Sequence, residues 1–223
     1  MSIGGAWRRL PLGSVGRIPY HISVPHDRST VDRDLLRAAA DGDRRAVARI
    51  LEPELDRVHA VCHRMVGRGD VARDLAQDTL VKAIRGLPEF DGRSAIGTWI
   101  TRIAMNTCLS WLRSQKRAAR RDEAVVVRES TGNDGEHTAA WSVQWEERRR
   151  SVASAMIQLS PEHRAVLVLR DVRGLEYEQI AEVLEVAPGT VKSRLFRARA
   201  ALRDAVEAIE SESADRAREA RPA

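Results

Sequence analysis

The chain has 223 residues, room for one large domain or two small ones. Hydrophobic residues make up 43% and charged residues 31%, a globular balance that sets aside fibrous and disordered classes. The formal net charge of +5 suits a polyanionic partner. Cys62 and Cys108 lie far apart with no CxxC spacing, which excludes a disulfide framework and suits a reducing compartment. The chain contains no apolar run near the ~18 residues of a membrane span, and its N-terminus lacks the apolar stretch of a signal peptide. A soluble, cytoplasmic protein is expected.

Residues 1–28 are rich in Gly, Pro and Arg without helical period and read as a flexible extension. From Asp32 the pattern changes. Leu35, Leu36, Ala39, Val47, Ile50, Leu51, Leu55, Val58 and Val61 recur at helical spacing, with Asp41-Gly42-Asp43 as a turn between two helices. Gly67 to Asp70 form a second break. A third helix is predicted from about Val71 to Arg85, ended by Gly86-Leu87-Pro88. Glu89 to Gly97 reads as a loop, and a fourth helix as about Thr98 to Arg117. Trp99 and Trp111 are read as core residues. Residues 118–142 are polar and turn-rich, the composition of a linker. Helical pattern resumes near Trp145 and runs to about Glu207, and residues 208–223 read as a polar, fraying tail.

The segment 159–203, LSPEHRAVLVLRDVRGLEYEQIAEVLEVAPGTVKSRLFRARAALR, carries the clearest chemistry. Ser160 is an N-cap, Pro161 suits the first helical position and Glu162 the first turn. The first helix buries Val166, Leu167 and Leu169 and ends at Arg173-Gly174. The next, about Tyr177 to Leu184, buries Ile180, Ala181 and Leu184. After a short turn a last helix starts near Pro188. Val191, Leu195, Ala198 and Leu202 form one apolar stripe on it. Lys192, Ser193, Phe196, Arg197 and Arg199 fall outside that stripe. Between Gly189 and Arg203 there are five basic residues and no acidic one. A short helix, a tight turn and a helix with a one-sided basic face suit the DNA major groove. The plain alternative, a helical hairpin with a solvated face, leaves that one-sidedness unexplained.

This segment closely resembles region 4, the −35-binding region, of sigma factors of the extracytoplasmic-function (ECF) family. The stretch 70–117, DVARDLAQDTLVKAIRGLPEFDGRSAIGTWITRIAMNTCLSWLRSQKR, resembles their region 2. GTVKSRLFRAR is moderately specific by itself, and its pairing with DLAQDT and FDGRS…TWI…IAMN is highly specific. The resemblance implies an all-α protein of two small helical domains joined by a flexible linker. Residues 29–117 would bind core polymerase and open the −10 element, and residues 143–207 would read the −35 element. Asp74, Leu75, Gln77, Asp78 and Lys82 would dock on the β′ clamp helices of core RNA polymerase, with the β subunit a further partner. Phe90, Arg93, Ile100, Arg102, Ile103 and Asn106 would read the −10 element as a single strand, capturing a flipped base. Thr190, Lys192, Ser193, Arg194, Phe196, Arg197 and Arg199 would meet duplex −35 DNA, with Arg194 and Arg199 on phosphates. The basic run Arg113, Lys116, Arg117, Arg120 and Arg121 would follow the template strand or the polymerase cleft. The resemblance also implies an anti-sigma factor as partner.

Three departures from the family pattern stand out. Glu185 occupies a turn position where many relatives carry Gly, at a cost of roughly 1 kcal/mol if φ is positive. Ile96 and Gly97 replace bulkier or more polar residues before the Thr98-Trp99 pair. The first 28 residues have no counterpart in short family members.

His59, Cys62 and His63 share a helix at metal-ligand spacings, but no fourth ligand is evident, and no metal is expected. The chain contains no Gly-rich phosphate loop, HExxH or GxSxG, so neither a cofactor nor catalytic activity is expected. The competing function is a stand-alone helix-turn-helix regulator, which needs neither the DLAQDT helix nor the Phe90–Asn106 surface.

Overall fold

The computed structural model describes residues 32–121 and 140–219. The expected extension over 1–28, and 122–139 of the expected linker 118–142, lie outside the described residues. Every regular element among the described residues is helical.

The N-terminal bundle begins with α1 (Arg33–Ala40) and α2 (Arg44–Leu51). Each starts on an aspartate whose carboxylate accepts an orphan backbone N–H: Asp32 from Asp34 at 3.1 Å and Asp43 from Arg45 at 2.9 Å. The single helix expected from 43 to 66 is split. Pro53 supplies no N–H, so the chain tightens into a 3₁₀ turn over Glu52–Glu54 before α3 (Leu55–Val66). α3 ends on Gly67 at φ 73°, the left-handed cap that glycine favours. α4 (Gly69–Gly86) and α5 (Ile96–Arg121) complete the bundle, and both run a few residues beyond the predicted limits. α3, α4 and α5 pack on one another around Val61, Met65, Ala72, Ile100, Ala104 and Met105, all at most 1% exposed.

The C-terminal bundle comprises α6 (Ala140–Gln158), α7 (Pro161–Leu167), α8 (Tyr177–Leu184) and α9 (Pro188–Glu219). Ser160 caps α7 as expected, its hydroxyl accepting from the His163 N–H at 3.3 Å. α7 widens into a π turn over Val168–Val172 and stops at Gly174, φ 66°. The apolar stripe of α9 is buried as predicted, with Val191, Leu195, Ala198 and Leu202 between 0% and 7% exposed. The predicted tail instead continues α9 to Glu219. Residues 208–219 hold Ala, Glu and Arg without Gly or Pro, so nothing breaks the helix over them.

Glu185 takes φ 53° and ψ 47°, the left-handed conformation expected of this position. Its side chain is exposed, so glycine there removes only the Cβ penalty. Glu185→Gly is expected to raise stability by about 0.5–1 kcal/mol, a shift of about 2–4 °C in Tm by calorimetry. An unchanged or lower Tm would contradict the strain.

The two bundles pack directly together, α3 against α6 and α7, and α5 against α7 and α8. Gly67 makes this approach possible: a Cβ there would stand 2.5 Å from Cδ1 of Ile157 on α6. Arg164 of α7 is buried and donates to the backbone carbonyl of Met65, across the interface, and to that of Leu159 at 3.1 Å.

Candidate nucleic-acid and polymerase interface

The outer face of α9 is built by default. Because Val191, Leu195 and Ala198 face inward, Lys192, Ser193, Phe196 and Arg197 must face solvent, and all four do. Phe196 is 76% exposed, an unusual position for an aromatic ring. Arg197 lies back along the helix with its guanidinium 3.4 Å from the Ser193 hydroxyl, and that hydroxyl donates to the Thr190 carbonyl at 3.0 Å. Thr190, Arg194 and Arg199 are half-buried. Arg199 departs from the expected phosphate role. It pairs with Asp171 of the π turn at 3.2 Å, which holds α9 against α7.

On α4, Asp74, Gln77 and Asp78 are exposed on one face, the face predicted for docking. Leu75 is a correction: at 6% exposure it points into the bundle and offers no surface. Lys82 is exposed, and its Nζ donates to Thr107 Oγ1 on α5 at 3.1 Å. Sequence reasoning missed Val81 and Ile84, each 45% exposed. Their spacing from Asp74 and Gln77, three and four residues at a time, could have placed them on the docking face.

The residues predicted for the −10 surface lie on the loop before α5 and on α5 itself. Phe90 packs on Trp99 with ring centroids 5.2 Å apart, so both rings are half-buried rather than core. Asp91 closes the loop by accepting from the Arg93 N–H at 3.0 Å, and Arg93 is exposed. Phe90, Arg93, Ser94, Trp99 and Arg102, with Glu182 from α8, line a polar cleft of about 280 Å³. Ile103 is half-buried and Asn106 exposed one turn further along α5. Ile100 is the second correction. It is 0% exposed, one position around the helix from the cleft, and is a core residue that no base can reach.

Arg113, Lys116 and Arg117 are exposed along α5, while the side chains of Arg120 and Arg121 lie outside the described residues. His59 is exposed, but Cys62 faces the core against Cys108. Hydrogen bonding to Cys62 and burial push the Cys108 thiol up, and both cysteines are buried. Among the described residues no three His, Cys, Asp or Glu side chains converge as a metal site. None of the described helices is long and apolar enough to cross a membrane.

A polar cluster joins the two bundles. Arg173, after the π turn, donates from Nε to Thr101 Oγ1 at 3.0 Å and from a terminal nitrogen to the Gly97 carbonyl at 3.3 Å. It also pairs with Glu54 at 3.2 Å, and Glu54 accepts from Arg57 at 2.6 Å. Burial works against the Arg173 charge, lowering its pKa from the usual guanidinium value, and Glu54 offsets that effect.

Residues 50–118 match the family Sigma-70 region 2, and residues 149–202 match Sigma-70, region 4. The chain is 33% identical over 183 residues to the ECF RNA polymerase sigma-E factor of Escherichia coli, covering 80% of this chain and 95% of that one. It is 30% identical over 183 residues to the sigma-E factor of Haemophilus influenzae, covering 80% and 96%. Among solved structures it resembles the sigma factor RpoE of Bartonella quintana in complex with the anti-sigma factor NepR. The TM-score is 0.60 at 28% identity, over 70% of this chain and 94% of that one. It also resembles CnrH in complex with the cytosolic domain of CnrY, with a TM-score of 0.57 at 26% identity, over 79% and 97%. The chain belongs to the extracytoplasmic-function family of RNA polymerase sigma factors.

Proposed function

We propose that this chain binds core RNA polymerase, places α9 in the major groove of the −35 element, and captures a −10 base to help open the promoter. The carrying observation is the outer face of α9. Lys192, Ser193, Phe196 and Arg197 are exposed on a helix anchored by a buried stripe, a face with two cations and no acid. Residues 29–117 serve as region 2 and 143–207 as region 4. Asp74, Gln77 and Asp78, joined by Val81 and Ile84, form the polymerase-docking face. Phe90, Arg93, Arg102, Ile103 and Asn106 form the −10 surface. The protein has no catalytic activity of its own and acts in the cytoplasm, where polymerase works. The similar Bartonella quintana structure holds an anti-sigma partner, which supports an anti-sigma factor as regulator here.

A band shift tests this reading. Specific retention of duplex promoter DNA is expected only with core polymerase present. Specific retention by the chain alone, unchanged by core, favours a stand-alone regulator. Asn106→Ala is expected to leave closed complexes intact and lower permanganate reactivity of −10 thymines. A lost amide contact of about 1–3 kcal/mol corresponds to roughly 5- to 150-fold. Unchanged reactivity would remove Asn106 from the site.

A further inference from the structure

The chain carries two cysteines, and the fold brings them together. Cys62 of α3 and Cys108 of α5 are both 0% exposed, and their thiols are hydrogen-bonded across the seam where the two helices pack. Neither belongs to the docking face, the −10 surface or the outer face of α9. As packing, each position would take a small apolar side chain equally well. What only a pair of thiols can do is form a bond.

The surroundings suit that chemistry. The hydrogen bond from Cys108 holds the Cys62 thiol below its usual range, against the opposing effect of burial. Cys62 is thus the member that becomes the nucleophilic thiolate, and Cys108 the one that keeps its proton. Lys82 is exposed, its Nζ bonds to Thr107 at 3.1 Å, and its charge is felt at Cys108. The ammonium, the Thr107 hydroxyl and the thiol form a polar line from the surface into the core, open to a water-sized oxidant when the packing of α4 on α5 loosens locally.

We propose that Cys62 and Cys108 are a reversible dithiol–disulfide site, oxidised by a small hydroperoxide and reduced again by a dithiol, and that the disulfide restrains α5 behind the −10 surface. The Cys62 thiolate attacks one peroxide oxygen. The O–O bond breaks, the leaving oxygen takes the proton that Cys62 lost, and Cys62 becomes a sulfenic acid. The Cys108 sulfur then attacks the Cys62 sulfur, the S–O bond breaks, and the sulfenic hydroxyl leaves with the Cys108 proton as water. Two electrons pass from the sulfurs to the peroxide, which ends as water and an alcohol, or as water alone from hydrogen peroxide. Bonded sulfurs stand closer than hydrogen-bonded ones, so oxidation draws Cys108 toward α3. Asn106 lies two residues earlier on the same helix, and Thr107 is tied to Lys82, so the shift reaches the exposed edge of the −10 surface. This regulatory half rests on the sigma-factor reading, while the thiol chemistry rests on the packing alone.

The test uses the full chain with Cys62→Ala and Cys108→Ala as separate controls, so that one remains if the other fails to fold. Reduced wild-type chain is treated with hydrogen peroxide, freed of oxidant and mapped by mass spectrometry without reductant. A linked Cys62–Cys108 peptide that disappears with dithiothreitol is expected. Unlinked cysteines after treatment, or linkage only between chains, would overturn the site. Opening is then read with untreated core polymerase, as permanganate reactivity of −10 thymines. The oxidised chain is expected to open on the order of fivefold fewer complexes than the reduced chain, with recovery on reduction, and peroxide should leave the alanine variants unchanged. Normal opening by the linked chain, or an equal peroxide effect on the variants, would overturn the restraint. Absence of polymerase-dependent transcripts from the reduced chain would sink the sigma-factor reading instead, and the peptide map would still decide the thiol site.

Discussion

Replacing Lys192 and Arg197 together by alanine is expected to lower initiation at a promoter with its −35 element by on the order of 10²–10³-fold. Each lost base or phosphate contact costs about 1–3 kcal/mol, and two contacts on separate turns add approximately. Both side chains are exposed and lie off the buried stripe of α9, so Tm should not move. Single-round run-off transcription measures the loss. A promoter with a scrambled −35 element supplies the control, since the variant and the wild type should initiate there equally. Equal loss on both promoters would mean that the variant has lost something other than −35 contact. An unchanged rate on the intact promoter would remove these residues from the interface.

The second large effect is expected at the opposite surface. Reversing both charges, Asp74→Arg with Asp78→Arg, should weaken binding to core polymerase by at least about 10²-fold, because like charges set against a basic partner helix cost several kcal/mol. Arg is a good helix former and both positions are exposed, so α4 itself should persist. Leu75→Ala supplies the contrast. Its side chain is buried, so it should lower Tm while folded protein still binds core. If the double reversal bound core normally, the docking face would have to lie elsewhere.

What could be read from the sequence was what periodicity and capping control locally. The buried stripe of α9 and the exposure of Phe196 follow from helical spacing alone. The positive φ of Glu185 was legible only through the family resemblance, since many relatives carry Gly at that turn. Ile100 and Leu75 were assigned to surfaces with the segments that resemble the family's −10 and docking regions. Helix phase turns each of them about 100° inward from the adjacent functional residue. Val81 and Ile84 were missed for the converse reason, since apolar character suggests a core and only the assembled bundle shows them uncovered. The Arg173 cluster was beyond local patterns altogether. Its Glu54 contact spans 119 residues and its Gly97 contact 76, and no spacing rule connects such positions. The split at Pro53 and the helical tail were errors of weighting, one a breaker overlooked and the other a polar segment judged too weak to stay helical.

Run-off transcription with purified bacterial core polymerase across a promoter library, with and without this protein, tests the central claim most directly. The account predicts new start sites that appear only with the protein and share upstream −35 and −10 motifs. No protein-dependent transcripts, together with no binding to core, would contradict it.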